Sequence, residues 1–364
     1  MRRISSSPIW IQKHRLKKPT PVADNGGSFP LHWKMTRSRF LRFLFFTAFF
    51  LLTLPFKVLA DMVPRVFKTR KHPLPITPVE EFYVEDTSGP PKSLRKGSKD
   101  WRLTVKGKVD HPLTLDYKQI LSRPSVKRII TLNCIGNPVG GRAIGNAEWE
   151  GVLLKDLIDE ADPHFFSSTL ILRAEDGYYE SIPLKKAKHP SALLATKMNG
   201  QPLTLNHGFP LRLLIPGLYG IKQMKWIKEI EVANHHPKGY WHEKGWSKQA
   251  KVKIISRIDT PENNEVLRSR QTVIRGIAFA GDRGIQYVQV SIDGERTWSL
   301  AKLEKPLSPT SWVFWSFPCA FPSAGSCRIA VRAADQYSGI QQDDLRDPFP
   351  NGTSGIHRIE VLVS

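Results

Sequence analysis

Apolar and polar residues alternate with recognisable periods over several stretches, and those periods define the elements to expect. Residues 101–109 (WRLTVKGKV) place Leu103, Val105 and Gly107 on one side and Arg102, Thr104 and Lys106 on the other, as a half-buried strand requires. In residues 113–123 (LTLDYKQILSR), Asp116 is a candidate N-cap for a short helix. The apolar run 127–134 (KRIITLNC) ends at Cys134, and the glycine-rich IGNPVGG that follows predicts a strand giving way to a loop at that cysteine. Residues 149–161 (WEGVLLKDLIDEA) begin another helix, while 169–179, 210–220 and 225–233 supply further strand material.

Beyond about Gln249 the character becomes all-β. Runs at 251–258, 271–280, 285–293, 298–304, 311–317, 327–334 and 355–363 are separated by Gly, Pro, Asp and Asn turns, and about seven such strands suit an immunoglobulin-like sandwich. Within 327–333 (CRIAVRA), Ile329, Val331 and Ala333 point one way and Arg328 and Arg332 the other. Residues 61–100, rich in proline, lysine and glycine, read as an irregular wrap with one ordered patch at 81–86 (EFYVED). The expected organisation is a basic arm with an export signal or membrane anchor (1–60), an α+β domain (61–248) and an immunoglobulin-like β-sandwich (249–364).

Composition changes this picture mainly at the N-terminus. The chain has 364 residues and a formal charge of +21, of which residues 1–60 contribute +10. The rest is spread, and there is no helical Lys/Arg stripe, zinc-finger spacing or RNA-binding aromatic signature, so nucleic acid is not an expected partner. Residues 43–56 (FLFFTAFFLLTLPF) carry no charge, follow the basic arm and end at Lys57. Such a run fits an export signal better than a full membrane span, with Val58 and Ala60 as small residues at a cleavage site. Residues 37–42 (RSRFLR) are similar to a twin-arginine signal with one arginine displaced. The expected location is extracytoplasmic, periplasmic in a bacterium, with membrane contact only through this segment.

Of three cysteines, none stands in a CxxC or CxxCH pattern, which excludes a zinc ribbon, a thioredoxin-type site and covalent haem. Cys319 and Cys327 bracket a short loop between two strand-like runs; they pair in an oxidising compartment or stay two buried thiols, and the spacing leaves both open. Cys134 is the odd one. A thiolate at a strand end before a glycine-rich turn is a soft ligand in an open, backbone-lined position, suited to a transition metal.

Residues 131–158 (TLNCIGNPVGGRAIGNAEWEGVLLKDLI) resemble the cysteine segment of the sulfite oxidase superfamily. SIPLKKA (181–187), the stretch 198–232 containing NHGFPLR and GIKQMKW, IQYVQVSIDGERTW (285–298) and VRAADQYSG (331–339) match that family in the same order, covering about Pro75 to the C-terminus. The resemblance implies a molybdopterin domain followed by an immunoglobulin-like domain often used for homodimerisation. It also implies a Mo-molybdopterin cofactor with Cys134 as metal ligand and catalytic residue. By the same resemblance His207 and Arg212 hold the pterin and its phosphate, and Gln223, Met224 and Lys225 contact the cofactor. Tyr83, Val84 and Glu85 line its entrance. Lys222 and Tyr240 stand as substrate-side catalytic candidates, with His242 close by. Asp176 is either a cofactor contact or a turn aspartate.

The same segments depart from sulfite oxidases. Glu85, Asp86 and Thr87 occupy the opening positions where an arginine usually helps to bind the substrate anion, and Pro138 and Val139 replace the arginines that commonly follow the cysteine motif. Lys222 replaces an arginine, and Glu243 stands where a tyrosine is usual. The expected function is therefore oxygen-atom transfer on a small sulfur- or nitrogen-containing substrate, with electrons exchanged with a separate cytochrome or membrane haem protein. Sulfite dehydrogenation and a catalytically idle cofactor-binding or assembly role are the alternatives.

Overall fold

Residues 72–364 of a computed structural model are described, all within one compact unit that begins at Thr69. The candidate export segment at 43–56 lies outside the described residues, and no helix among those described is long and apolar enough to cross a membrane.

The first sheet orders its strands β2 (Leu113–Asp116), β1 (Arg102–Gly107), β10 (Ile227–Ala233), β5 (Thr169–Ala174) and β6 (Tyr179–Pro183), with only the β1–β10 pair parallel. β1 forms as its alternation predicts: Leu103 and Val105 are fully buried, and Arg102 and Lys106 face solvent. Asp116 ends β2 and caps the helix Tyr117–Leu121 in a reciprocal capping box, accepting from the Gln119 amide while the Gln119 side chain accepts from its own. Helix Leu154–Ala161 lays Leu154, Leu157, Ile158 and Ala161 into the core beneath this sheet. Each leucine or isoleucine buried there contributes about 1.5–3 kcal/mol.

The second sheet orders β3 (Val126–Asn133), β4 (Ile144–Leu153), β7 (Leu193–Met198) and β8 (Gln201–Pro202), with β9 (Arg212–Leu214) on the other part of β7. Its core centres on Trp149, Phe82, Ile130 and Leu132. Helix was expected from residue 149, but strand continues through Leu153 because Trp149–Leu153 pair with β7, and the helix begins at Leu154. The α+β expectation thus overstates the helix: the fold is mostly β, and Leu154–Ala161, at 8 residues, is the longest helix among the described residues.

The C-terminal region is two facing sheets. One orders β11 (Ile255–Thr260), β13 (Gln271–Phe279), β17 (Val313–Ala320) and β16 (Lys302–Leu303); the other orders β12 (Val266–Leu267), β19 (His357–Val363), β18 (Gly325–Asp335), β14 (Ile285–Ser291) and β15 (Ser299–Leu300). Ile274, Trp315, Val288, Ile329 and Val331 from both sheets share one core. Ile329, Val331 and Ala333 point inward as their alternation predicts. The run 298–304, expected as one strand, breaks at Ala301 into β15 and β16, which join opposite sheets. Cys319 and Cys327 are both unpaired and half-buried against this core. Burial first, then the neighbouring Cys327, push the Cys319 thiol up to about 11.

Candidate active site

Cys134 is the first residue after β3, and its position is built from backbone outward. Its amide donates to the Ala143 carbonyl at 2.9 Å, closing the loop between β3 and β4. Asn137 braces that loop from within: its Nδ2 donates to Asn133 Oδ1 at 3.0 Å, and its Oδ1 accepts the Ala143 amide at 3.0 Å. The C-terminal sheets grip the loop from outside. Thr353 Oγ1 donates to the Asn137 carbonyl at 2.6 Å, and Arg257 Nη1 to the Gly141 carbonyl at 2.8 Å. Gly140, at φ 74°, lies so close to His357 that a Cβ would stand 2.4 Å from its Nε2. The glycine-rich sequence after Cys134 is needed for that approach.

Cys134 lines a cavity of about 190 Å³. Tyr83, Val84, Glu85, Asp176, Arg212, Gln223, Met224 and Lys225, all named from sequence, line it as well. His207, Lys222 and Tyr240 do not reach its wall: all three stand behind it.

On the polar side, Arg212 opens β9 and is 6% exposed. Its Nη1 donates to the His207 carbonyl at 3.2 Å, and its guanidinium carbon lies 5.2 Å from the Trp149 ring centre. Burial lowers its pKa to about 10, which still leaves it charged at neutral pH. The His207 Nε2 donates to the Val79 carbonyl at 3.0 Å, and burial, only partly opposed by that bond, lowers the imidazole to about 4, so the ring is neutral. Lys225 Nζ binds Asp86 at 2.9 Å and the Asn206 carbonyl at 3.2 Å. Gln223 spends its side chain on the Ile215 and Leu218 carbonyls, at 2.6 and 2.9 Å, so it staples its own loop. Asp176 lines the cavity, and its Oδ1 accepts the Tyr178 amide at 3.1 Å as a turn aspartate does.

Three polar atoms in this quarter are buried without a hydrogen-bond partner: Tyr83 Oη, His207 Nδ1 and Arg212 Nε. Burying such groups unpaired costs about 1–3 kcal/mol each, so their concentration around one cavity marks a place built to receive a polar ligand. Burial first, then the Glu85 charge, raise the Cys134 pKa against a smaller opposing effect of the Gly136 amide, so without a cation beside it Cys134 is a thiol.

The other side was not foreseen. Tyr178, Ile221, Trp241 and Trp246 also line the wall. Helix Tyr240–Glu243 and the turn after it carry the two tryptophans, with Trp241 edge-on to Trp246 and Trp246 edge-on to Phe349 of the C-terminal region. Tyr240 packs against Tyr178 and Tyr179 from behind. Also unforeseen is Glu180, which binds the buried Lys222 Nζ at 2.7 Å; burial pulls that lysine down and pushes that carboxyl up, with the pairing opposing both. Gly239 makes room for it, since a Cβ there would fall 1.9 Å from Glu180 Oε1. The only sequence signal was the density of aromatics in GYWHEKGW (239–246).

Among the described residues no three His, Cys, Asp or Glu side chains cluster to hold a metal. A single thiol in a cavity edged by unsatisfied donors suits a protein that binds a polar ligand offering those donors acceptors and that thiol a soft metal. Comparison with known proteins agrees. Residues 89–241 match the model of the oxidoreductase molybdopterin binding domain, and 247–347 that of the Mo-co oxidoreductase dimerisation domain. Human mitochondrial sulfite oxidase is 29% identical over 305 residues, covering 69% of this chain and 55% of that protein. Arabidopsis thaliana sulfite oxidase is 27% identical over 328 residues, covering 74% and 83%; tomato (Solanum lycopersicum) NADH nitrate reductase is 29% identical over 334 residues, covering 74% and 36%. The chain thus spans about half the length of the human enzyme. The solved sulfane dehydrogenase SoxCD of Paracoccus pantotrophus shares the fold at a TM-score of 0.64 and 20% identity, over 77% of this chain and 82% of that one.

The chain belongs to the sulfite oxidase superfamily of molybdopterin oxidoreductases, and its cofactor is Mo-molybdopterin. The residues present fit that group: a soft sulfur for the metal, a buried guanidinium for a phosphate, and unpartnered hydroxyl and imidazole groups beside it.

Proposed function

We propose that the protein is an oxygen-atom-transfer enzyme acting on a small sulfur- or nitrogen-containing substrate. The observation that carries this reading is the Cys134 thiol in the wall of a cavity edged by the unpartnered Tyr83 Oη and Arg212 Nε. When bound, the cofactor supplies a metal able to change oxidation state while oxygen passes between substrate and water. Cys134 is the protein ligand to that metal, and cation proximity overcomes the burial that keeps it protonated. Arg212 holds the pterin phosphate by charge, and His207, behind the wall, steadies that guanidinium through the carbonyl to which Arg212 Nη1 donates. Lys225 stands beside the pterin with Asp86 fixing its ammonium. Gln223 and Met224 present backbone groups, and Tyr83, Val84, Glu85 and Asp176 form the entrance. Lys222 and Tyr240 act through what they back: Lys222 neutralises Glu180, and Tyr240 holds Tyr178 in the wall.

The domain limits at 61–248 and 249–364 are part of this reading, with the C-terminal two-sheet sandwich taken as immunoglobulin-like and as the face through which two copies pair. Electrons are exchanged with a separate haem protein, supported by the missing CxxCH pattern in this chain. Export across the cytoplasmic membrane, or anchoring in it, rests on the uncharged run 43–56 behind its basic arm.

Sulfite dehydrogenation is the competing reading, favoured by the relatives named sulfite oxidase. Protein made in a cofactor-competent host, assayed with sulfite, sulfoxides and N-oxides and artificial electron donors and acceptors, separates the two. The expected result is one molybdenum per chain and faster turnover of an oxide than of sulfite. Faster sulfite turnover makes the protein a sulfite dehydrogenase, whereas loaded protein that turns over nothing in the panel is an idle cofactor binder.

A further inference from the structure

An oxyanion such as sulfite needs cations that are not already spent. The three positive side chains in the wall or directly buried behind it, Lys225, Lys222 and Arg212, each have another partner. Lys225 is held by Asp86 at 2.9 Å, and Lys222, 3% exposed, by Glu180 at 2.7 Å. Arg212 stacks on Trp149, donates to the His207 carbonyl and, in the proposed function, faces the pterin phosphate. The wall residues left once the cofactor contacts are set aside include no cation. They include the apolar and aromatic Ile135, Tyr178, Ile221, Trp241 and Trp246. The acidic side is not silent either, since Glu85 lies close enough to Cys134 to disfavour negative charge on its sulfur.

We propose that this site selects an uncharged oxide bearing an apolar or aromatic substituent, seated against Trp241 and Trp246, and disfavours dianions. The juxtaposition that carries the proposal is two tryptophans and Ile221 in the wall of a cavity whose lining lysine, Lys225, and the buried Lys222 behind it are both paired with carboxylates. Aromatic walls reward an aryl or alkyl group both by burial and by ring contact. A dianion brought beside Glu85 with no free cation loses its hydration and gains little. The proposal rests on the oxygen-transfer reading only for the chemical step after binding. For a sulfoxide that step is R₂SO + 2 H⁺ + 2 e⁻ → R₂S + H₂O: the S–O bond breaks, sulfur is reduced, and a one-electron haem carrier, or reduced viologen in an assay, is oxidised twice.

Binding can be read without turnover. Calorimetric titration of molybdenum-loaded protein with methyl phenyl sulfone, dimethyl sulfone and sulfate uses non-reducible stand-ins for aryl oxide, alkyl oxide and sulfite. The expected order of affinity is aryl sulfone, then dimethyl sulfone, then sulfate. Trp246→Ala should weaken the aryl sulfone by about tenfold and dimethyl sulfone by less than about twofold, as loss of one ring contact predicts. Glu85→Arg, at an exposed position, should strengthen sulfate by about tenfold and leave the fold intact. Sulfate binding more tightly than the aryl sulfone, no aryl sulfone binding, or an aryl preference unmoved by Trp246→Ala would each overturn the proposal. Normal aryl sulfone binding to loaded protein that reduces no oxide would leave the substrate class standing and overturn the oxygen-transfer reading instead.

Discussion

The two sides of the cavity are built on opposite terms. On the polar side, Tyr83, Arg212 and, just behind them, His207 keep buried donors unspent, and Lys225 is steadied by one carboxylate. On the aromatic side the charged groups are already matched, Lys222 to Glu180, and what faces the cavity is ring and hydrocarbon. One side is prepared to receive charge from outside; the other has cancelled its own. On the reading proposed above, the contrast lets one cavity hold an anionic cofactor and disfavour an anionic substrate, since the cost of an unpaired buried donor is repaid only where a ligand arrives.

The contrast breaks most completely at the metal. Cys134→Ser replaces a soft thiolate by a hard hydroxyl, and turnover per molybdenum should fall by at least about 100-fold; near-normal turnover would remove Cys134 from its role. Next in size is the matched pair. Glu180→Ala leaves the Lys222 ammonium buried with the Ser181 carbonyl at 3.3 Å but no counter-charge, which should lower stability by about 3–5 kcal/mol in urea unfolding, whereas Glu180→Ala with Lys222→Met should recover most of that loss. A small effect of the single change would mean that water reaches Lys222. On the polar side, Arg212→Lys keeps the charge but loses the fork, and cofactor retention through gel filtration should drop about tenfold with the fold unchanged by circular dichroism. The smallest effect is one of pH. The Asp86 carboxyl is buried enough to be opposed by desolvation, yet Lys225 and the Ser88 and Gly89 amides hold its pKa below the ordinary 3.8. A depressed carboxyl adds stability that is present above the unfolded value and is lost as pH falls through the folded one. The stability difference between wild type and Asp86→Asn should therefore be flat from neutral pH to about 5 and shrink only below about 4. A difference that already shrinks between neutral pH and about 5 would mean that the Asp86 carboxyl is not held below its ordinary value.

Much of the polar side was legible because its residues sit in continuous motifs: Cys134 before IGNPVGG, His207 to Arg212 in HGFPLR, and Gln223 to Lys225 in IKQMKW. Local rules also held elsewhere, as in the Asp116 capping box and the inward set Ile329, Val331 and Ala333. Expectations failed where partners lay far along the chain. Trp149–Leu153 became strand because β7 pairs with it, and 298–304 split because its two ends were claimed by different sheets.

Periodicity, caps and short motifs follow from neighbours in the chain, so strand faces, the helix start after Asp116 and the position of Cys134 at a strand end were settled there. Glu180 beneath Lys222, Asp86 on Lys225, and Trp246 between Trp241 and Phe349 join residues 42, 139 and about 100 positions apart or bring separate loops together. No local pattern encodes such meetings, because they depend on which surfaces remain to be covered after the sheets have packed. Chain order decided where the Cys134 sulfur stands; packing decided which charges around it are left free.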